Sequence, residues 1–276
     1  MRNGDRFMTK SRVFAILNWK EERNINVKQE ILEKLPLRDK NDKVVIFCKD
    51  ALKKEFEKND KYEIVVVSEQ EGHNRAALLN TAYKYLKDHY SGYYGYTIYD
   101  SVQFKKDPSI FFAKIEEMIE KLHLDIWFNT YTDVMNFVFS KFDPRVSIVI
   151  NEPKYQSIYN KTIMWTSHAN PNITLVDIDK FDFKDGHVFD DRFEIPMFWI
   201  IKFLCERARN KQGFMNHYPT IEEEIGVYKI GDFKGSNFSQ QQMQIEDKMF
   251  SELNLDHTPN QNVEALMEFM MKQLKL

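Results

Sequence analysis

Glycine is scarce in this chain, at nine of 276 residues. That argues against a glycine-rich phosphate loop as the main ligand device. No G-x-G-x-x-G follows the first strand-like run, so the dinucleotide fingerprint does not apply. A Walker loop and a G-x-S-x-G elbow are missing as well. Cysteine occurs twice, as Cys48 and Cys205, each inside an apolar run. Two buried thiols make no disulfide framework. The seven histidines are scattered, with none paired three or four positions apart, which removes the usual zinc spacing. No apolar run approaches the roughly 20 residues of a membrane span. The opening MRNGDRFMTK is charged where a signal peptide needs an apolar stretch. Charge of one sign is lacking too: 39 basic residues face 42 acidic ones, for a net charge of −3. That balance supplies no global field for nucleic acid. The expectation from these absences is a soluble cytoplasmic protein.

What is present is core material and an alternating pattern. Hydrophobic residues make up 43% and aromatics 14% of the chain, enough for a large core. Residues 1–11 read as a polar lead-in. VFAIL (Val13 to Leu17), KVVIFC (Lys43 to Cys48) and the run Ile64 to Val67 predict three strands, the last of them buried. Tyr96 to Tyr99 predicts a fourth. Between them, the charged stretch Asn18 to Asn26 reads as loop, Val27 to Leu35 and Ala51 to Lys58 as helices, and Ser68 to Asn74 as loop. Ala76, Leu79, Ala82, Tyr83 and Leu86 fall at helical spacing, with Gly92 and Gly95 ending that helix. The β-α-β-α-β-α-β order predicts an α/β fold with a mainly parallel sheet flanked by helices and right-handed crossovers.

Further on, Pro108 opens a helix to Leu122, and Asp125 to Thr130 reads as strand. Asp133 to Phe139 reads as helix. Val146 to Ile150, Lys161 to Trp165 and Ile173 to Val176 read as strands, and Glu194 to Arg209 as an amphipathic helix. Gly213 to Ser239 holds one or two short strands. Gln240 to Leu253 and Val263 to Leu276 are helical, and form a C-terminal extension.

In an open α/β sheet, ligands sit at the carboxyl ends of the strands. Four polar points converge there: Asn18 with Arg23, Asp50, the loop Glu69 to Arg75, and Asp100. Each has a plain structural alternative. Asp50 fits the N-cap of the helix that follows, and Asp190, Asp191 and Glu194 fit an acidic helix start favoured by the helix dipole.

Three stretches resemble the GT-A, nucleotide-diphospho-sugar transferase fold of glycosyltransferases, especially the family 2-like members. FAILNWKEERN resembles the opening strand and its loop. EGHNRAALLNTAYKYL resembles the helix between the third strand and the metal motif. YTIYDSVQF resembles the strand that ends in a D-x-D. The resemblance implies a catalytic domain over 12–235, with a nucleotide-sugar-binding half (12–107) and an acceptor half (108–235), followed by a helical hairpin (236–276). It implies donor-binding roles for Asn18, Asp50, Arg75 and Asp100, with Asp50 on the base edge, Arg75 at the diphosphate, and Asn80 bracing the helix. Asp100 would be the first acid of the D-x-D and the ligand of a divalent cation, Mn²⁺ or Mg²⁺. The third position of that motif is Val102, which departs from the pattern and leaves one acid. Arg75, Lys105 or Lys106 would then stabilise the leaving diphosphate.

The same resemblance places a base in FDDRFE, at Asp191 or Glu194, to take the acceptor proton. It makes Trp165 a sugar-stacking ring and His168 a phosphate or hydroxyl partner. The implied activity is transfer of a sugar from a nucleotide donor such as a UDP-sugar to a glycan, lipid, protein or modified DNA base. The net charge does not favour the nucleic-acid acceptor. The competing classes are a nucleotidyltransferase, whose first loop normally carries glycine, and a non-catalytic nucleotide-binding relative.

Overall fold

The computed structural model describes residues 10–121, 124–129, 147–150, 163–166, 170–209, 215–217, 228–230 and 239–253. Strand β1 (Ser11–Asn18) is the centre of the fold, and every residue from Arg12 to Asn18 is buried. A strand covered on both faces needs such a continuous run. β2 (Lys43–Cys48) lies parallel to β1 on one side, and β3 (Glu63–Val66) extends the sheet beyond it. β4 (Tyr93–Tyr99) lies parallel on the other side of β1. β6 (Ile126–Asn129), β9 (Asn170–Asp177) and β10 (Met215–His217) complete a seven-stranded sheet in the order β10-β6-β9-β4-β1-β2-β3. Only β9 runs against its neighbours. The mainly parallel sheet expected from the sequence is therefore the one that forms.

Helices cover both faces because side chains alternate along each strand. Phe14 and Tyr96 are register partners, and Phe112 of α5 (Ser109–Lys121) lies 6.0 and 4.7 Å from their ring centres. Thr97, one residue on, turns to the other face and meets Thr174. There the hydroxyl of Tyr83, from α4 (Arg75–His89), pairs with the Thr174 hydroxyl at 2.7 Å. A buried aromatic of this size removes about 150–250 Å² from water, roughly 4–6 kcal/mol on transfer grounds.

Several boundaries move. β1 begins at Ser11, so the lead-in is shorter than expected; residues 1–9 lie outside the described residues. The stretch read as loop up to Asn26 turns helical at residue 21. The segment 21–34 is built from short turns, including α1 (Asn24–Asn26). β3 is an edge strand rather than a buried one: Val66 is 46% exposed. A β-branched run has one composition at an edge and in the centre, and strand order alone separates them. The loop expected over Ser68 to Asn74 contains helix α3 (Glu69–His73). Its signal is Ser68-x-x-Glu71, a capping box in which each side chain accepts the other residue's backbone N–H. Gly95 does not end a helix but lies inside β4, where a Cβ would meet Leu86 and Ile178 at 3.1 Å. Gly92, at φ 87°, makes the turn.

The helix expected over Ala51 to Lys58 is the single turn α2 (Asp50–Lys53) followed by turns. Of the one or two short strands expected between Gly213 and Ser239, two form, β10 and β11 (Tyr228–Ile230). β11 forms a small antiparallel ribbon with β5 (Val102–Phe104). β7 (Ser147–Ile150) and β8 (Ile163–Thr166) form another. The helices expected over Asp133 to Phe139 and Val263 to Leu276 lie outside the described residues. Among the described residues, no helix is long and apolar enough to cross a membrane.

Candidate active site at the carboxyl ends of β1 and β4

The chain leaving β1 passes directly over the chain leaving β4, and Asp100 ties them together. One carboxylate oxygen, Oδ2, accepts the backbone N–H groups of Trp19 at 3.1 Å and Lys20 at 3.2 Å. The other, Oδ1, receives Nη1 of Arg23 at 2.6 Å. Both side chains of this ion pair are almost fully buried, at 5% and 3% exposure. Asn26 completes the tie by donating to the carbonyls of Asp100 and Val102 at 2.7 and 2.8 Å.

Beside this tie is a hollow of about 230 Å³, lined by Trp19, Lys20 and Arg23 from the chain after β1, by Tyr99 and Asp100 from the end of β4, and by Arg75. Gly72, His73, Leu78 and Glu194 close it. Ligand sites usually start at roughly 300 Å³, so this hollow is somewhat smaller than a typical one. Trp19 is seated on Gly72, where a Cβ would come within 2.0 Å of the indole. The edge of the His73 ring meets the same indole at 5.4 Å, and the Lys49 ammonium lies 6.0 Å from its centre.

Arg75 is the first residue of α4. Its guanidinium rests over the Tyr99 ring at 5.3 Å, and the Tyr99 hydroxyl donates to the Arg75 carbonyl at 2.9 Å. Burial pushes the Tyr99 phenol well up, so it remains a neutral donor. Two asparagines of this region stitch α4 to the loop before α6 (Pro196–Arg209). Asn74 caps α4 through Ala76 and Ala77 N–H and donates to the Asp191 carbonyl at 2.7 Å. Asn80 donates to the Phe189 carbonyl at 2.8 Å and accepts the Phe189 N–H at 2.9 Å, the bracing expected of it.

That loop carries the acids expected to supply a base, and the structure separates them. Glu194 lines the hollow. The Asp191 side chain is exposed, and it is the Asp191 carbonyl that holds Asn74. Asp190 is taken up by Arg192 at 2.6 Å, with Lys202 at 3.5 Å. Its burial alone would raise the carboxyl pKa, but those cations outweigh burial and hold it below the usual value. A carboxylate stabilised in that way is a poor proton acceptor.

Glu194 is positioned from the far end of the chain. Glu246 of α7 (Gln240–Ser251) is 1% exposed and accepts the backbone N–H groups of Glu194 at 3.1 Å and Ile195 at 3.0 Å. It thus ties down, from another helix, the two residues that lead into α6. Phe250 packs beside it, with its ring centre 6.1 Å from Phe193 and 5.3 Å from Phe198. The helix read as the first half of a C-terminal hairpin is therefore docked against the α/β fold. Glu246→Ala is expected to cost about 2 kcal/mol. Thermal unfolding should show it as a melting temperature lower by ~5 °C.

The remaining expected site residues fall as follows. Asn18 is buried beneath the loop, its Nδ2 donating to Asn24 at 2.7 Å, and is not on the wall of the hollow. Asp50 is exposed at the first turn of α2. It stands at the carboxyl end of β2 but outside the hollow, and the N-cap position belongs to Lys49, not to Asp50. Trp165 lies in β8, with its side chain outside the described residues, as is His168. Cys48, at the end of β2, is fully buried, which pushes its thiol up to about 11 and keeps it protonated.

The donor set at Asp100 does not fit a divalent ion. Both oxygens already accept N–H groups, one of them cationic. Val102 is fully buried in the β5–β11 ribbon. Among the described residues, no three acidic, histidine or cysteine side chains are grouped to hold a metal.

No protein-family model matches the sequence, and no curated protein is similar to it. Solved structures with a similar fold include two of S. aureus TarS. S. aureus TarS 1-349 aligns at TM-score 0.53 and 11% identity, over 96% of this chain and 72% of that one. S. aureus TarS aligns at TM-score 0.54 and 11% identity, over 94% of this chain but only 43% of that one. At that identity the likeness is one of fold alone: a mainly parallel α/β sheet flanked by helices, of the GT-A kind.

Proposed function

We propose that this protein is a glycosyltransferase that moves a sugar from a nucleoside-diphosphate donor to an acceptor hydroxyl. The observation that carries this reading is the hollow at the carboxyl ends of β1 and β4, where Lys20, Arg23 and Arg75 converge. Carboxyl ends of parallel strands are where such sheets bind ligands, and a leaving diphosphate needs positive charge. The fold shared with TarS supports the architecture.

In this reading Arg75 and Lys20 face the diphosphate, and Trp19 and Asp50 flank the nucleoside. Glu194 takes the proton from the acceptor hydroxyl as its oxygen forms the new bond to the anomeric carbon. The bond from that carbon to the diphosphate breaks, and its electron pair leaves with the nucleotide. Glu194 is preferred to Asp191 because only Glu194 lines the hollow. The loop after β1, Trp19 to Arg23, has no glycine, which disfavours a nucleotidyltransferase.

The test is a panel of nucleotide sugars incubated with the protein. Slow release of nucleoside diphosphate supports the transferase. Pyrophosphate release from sugar phosphate and nucleoside triphosphate would support a nucleotidyltransferase instead, and no turnover a binding protein. Glu194→Gln should cut turnover by roughly 100-fold or more while donor affinity stays within a few-fold of the parent.

A further inference from the structure

We infer that this site binds the diphosphate of its donor without a divalent ion, with Arg75 and Lys20 supplying the charge a metal would bring. The inference rests on the donor-site reading above. The single acid of the motif is used inside the protein: Arg23 and two backbone N–H groups occupy both oxygens of Asp100, whose side chain is 3% exposed. For a metal to enter, a buried guanidinium would have to give up the carboxylate it is paired with at 2.6 Å, which is costly. The second acid position holds Val102, buried in a ribbon with Ile230 opposite.

The cations, by contrast, are available. Among the described residues, neither Arg75 nor Lys20 has an acidic partner, and both line the hollow. Arg75 is held in place by the Tyr99 ring rather than by a carboxylate, which leaves its N–H groups open. A planar guanidinium matches two phosphate oxygens at once, and Lys adds a point charge. Arg75 also opens a 15-residue helix, whose dipole favours an anion at that end.

The experiment is calorimetric titration of the full-length protein with uridine, thymidine and guanosine diphosphates, each in EDTA and in millimolar Mn²⁺. The expected result is that a nucleoside diphosphate binds with the same affinity, within about twofold, in both conditions. Arg75→Gln should weaken that binding by roughly tenfold or more in both, and Lys20→Gln by a few-fold, with unchanged melting temperatures. Binding that vanishes in EDTA and returns with Mn²⁺ would overturn the inference while leaving the donor site intact. Tight binding of Mn²⁺ to the protein alone, lost in Asp100→Asn, would overturn it as well. Failure of all three nucleotides in both conditions would overturn the donor-site reading and this inference with it.

Discussion

Asp100→Asn is expected to destabilise the protein by about 3–5 kcal/mol. Removing one charge leaves the other facing a neutral amide. Arg23 is 4% exposed, and its counter-ion 2.6 Å away would become a neutral amide. The N–H groups of Trp19 and Lys20 would lose an anionic acceptor at the same time. For a domain whose whole stability is of order 5–15 kcal/mol, this is a large share. Thermal unfolding should show a melting temperature lower by roughly 10 °C, and nucleotide affinity should fall because the loop over the hollow is no longer tied. The outcome separates two roles. If Asp100 were a metal ligand, replacing it would leave the apo-protein as stable as the parent. The double variant Arg23→Met with Asp100→Leu tests the cause, since replacing both charges by apolar groups should restore most of the lost stability. Binding should stay weak in the double variant.

Glu116→Gln is expected to cost about as much stability, 3–5 kcal/mol, and to leave nucleotide affinity unchanged in the folded protein. Glu116 holds the fully buried Arg12 by two hydrogen bonds, at 2.6 and 3.1 Å, and accepts the Tyr96 hydroxyl at 2.9 Å. Without the carboxylate, the Arg12 guanidinium keeps the Pro36 carbonyl at 3.0 Å as its neutral acceptor. Arg12 and the Asp100 tie lie at opposite ends of β1, six residues or about 20 Å apart along the strand. Denaturant unfolding and nucleotide titration of the same variant check both halves of the prediction. A loss of affinity in folded Glu116→Gln, measured well below its melting temperature, would show the two ends of the sheet to be coupled. Should that variant fail to fold, Arg12→Met with Glu116→Leu serves the same purpose.

The contrast between these two pairs shows why a buried charge cannot be assigned a role from its residue type. Arg12–Glu116 and Arg23–Asp100 are alike in chemistry and burial. The second lies at the carboxyl rim, beside the hollow; the first lies at the other end of β1. Strand direction makes that distinction, and strand direction was readable from the β-α-β order. Asp100 and Arg75 could therefore be placed near one another before any coordinates, whereas Glu194 entered through the resemblance and only as an alternative to Asp191. Arg23 could be placed on the same rim, but the uptake of the Asp100 carboxylate by its guanidinium could not be read, since that pairing joins residues 77 apart in the chain. Asn74 is a partial exception. An Asn directly before a helical run is an N-cap signal, but its second task, holding the Asp191 carbonyl, depends on a segment 117 residues on. Glu246 had no signal of its own, being one acid among several on a surface-looking helix.

The order of strands and helices in the first hundred residues, the parallel character of the sheet and the rim on which its polar residues gather all follow from local patterns of apolar side chains and punctuation. Those patterns act over a few residues, which is why one chain suffices to read them. Which strand becomes an edge, which acid is neutralised by which base, and which of three neighbouring carboxylates faces the hollow were settled by packing. Each of those outcomes depends on groups far apart in the chain, brought within about 3 Å by the crossing of elements, and hydrogen-bond and ion-pair energies fall away steeply beyond that distance.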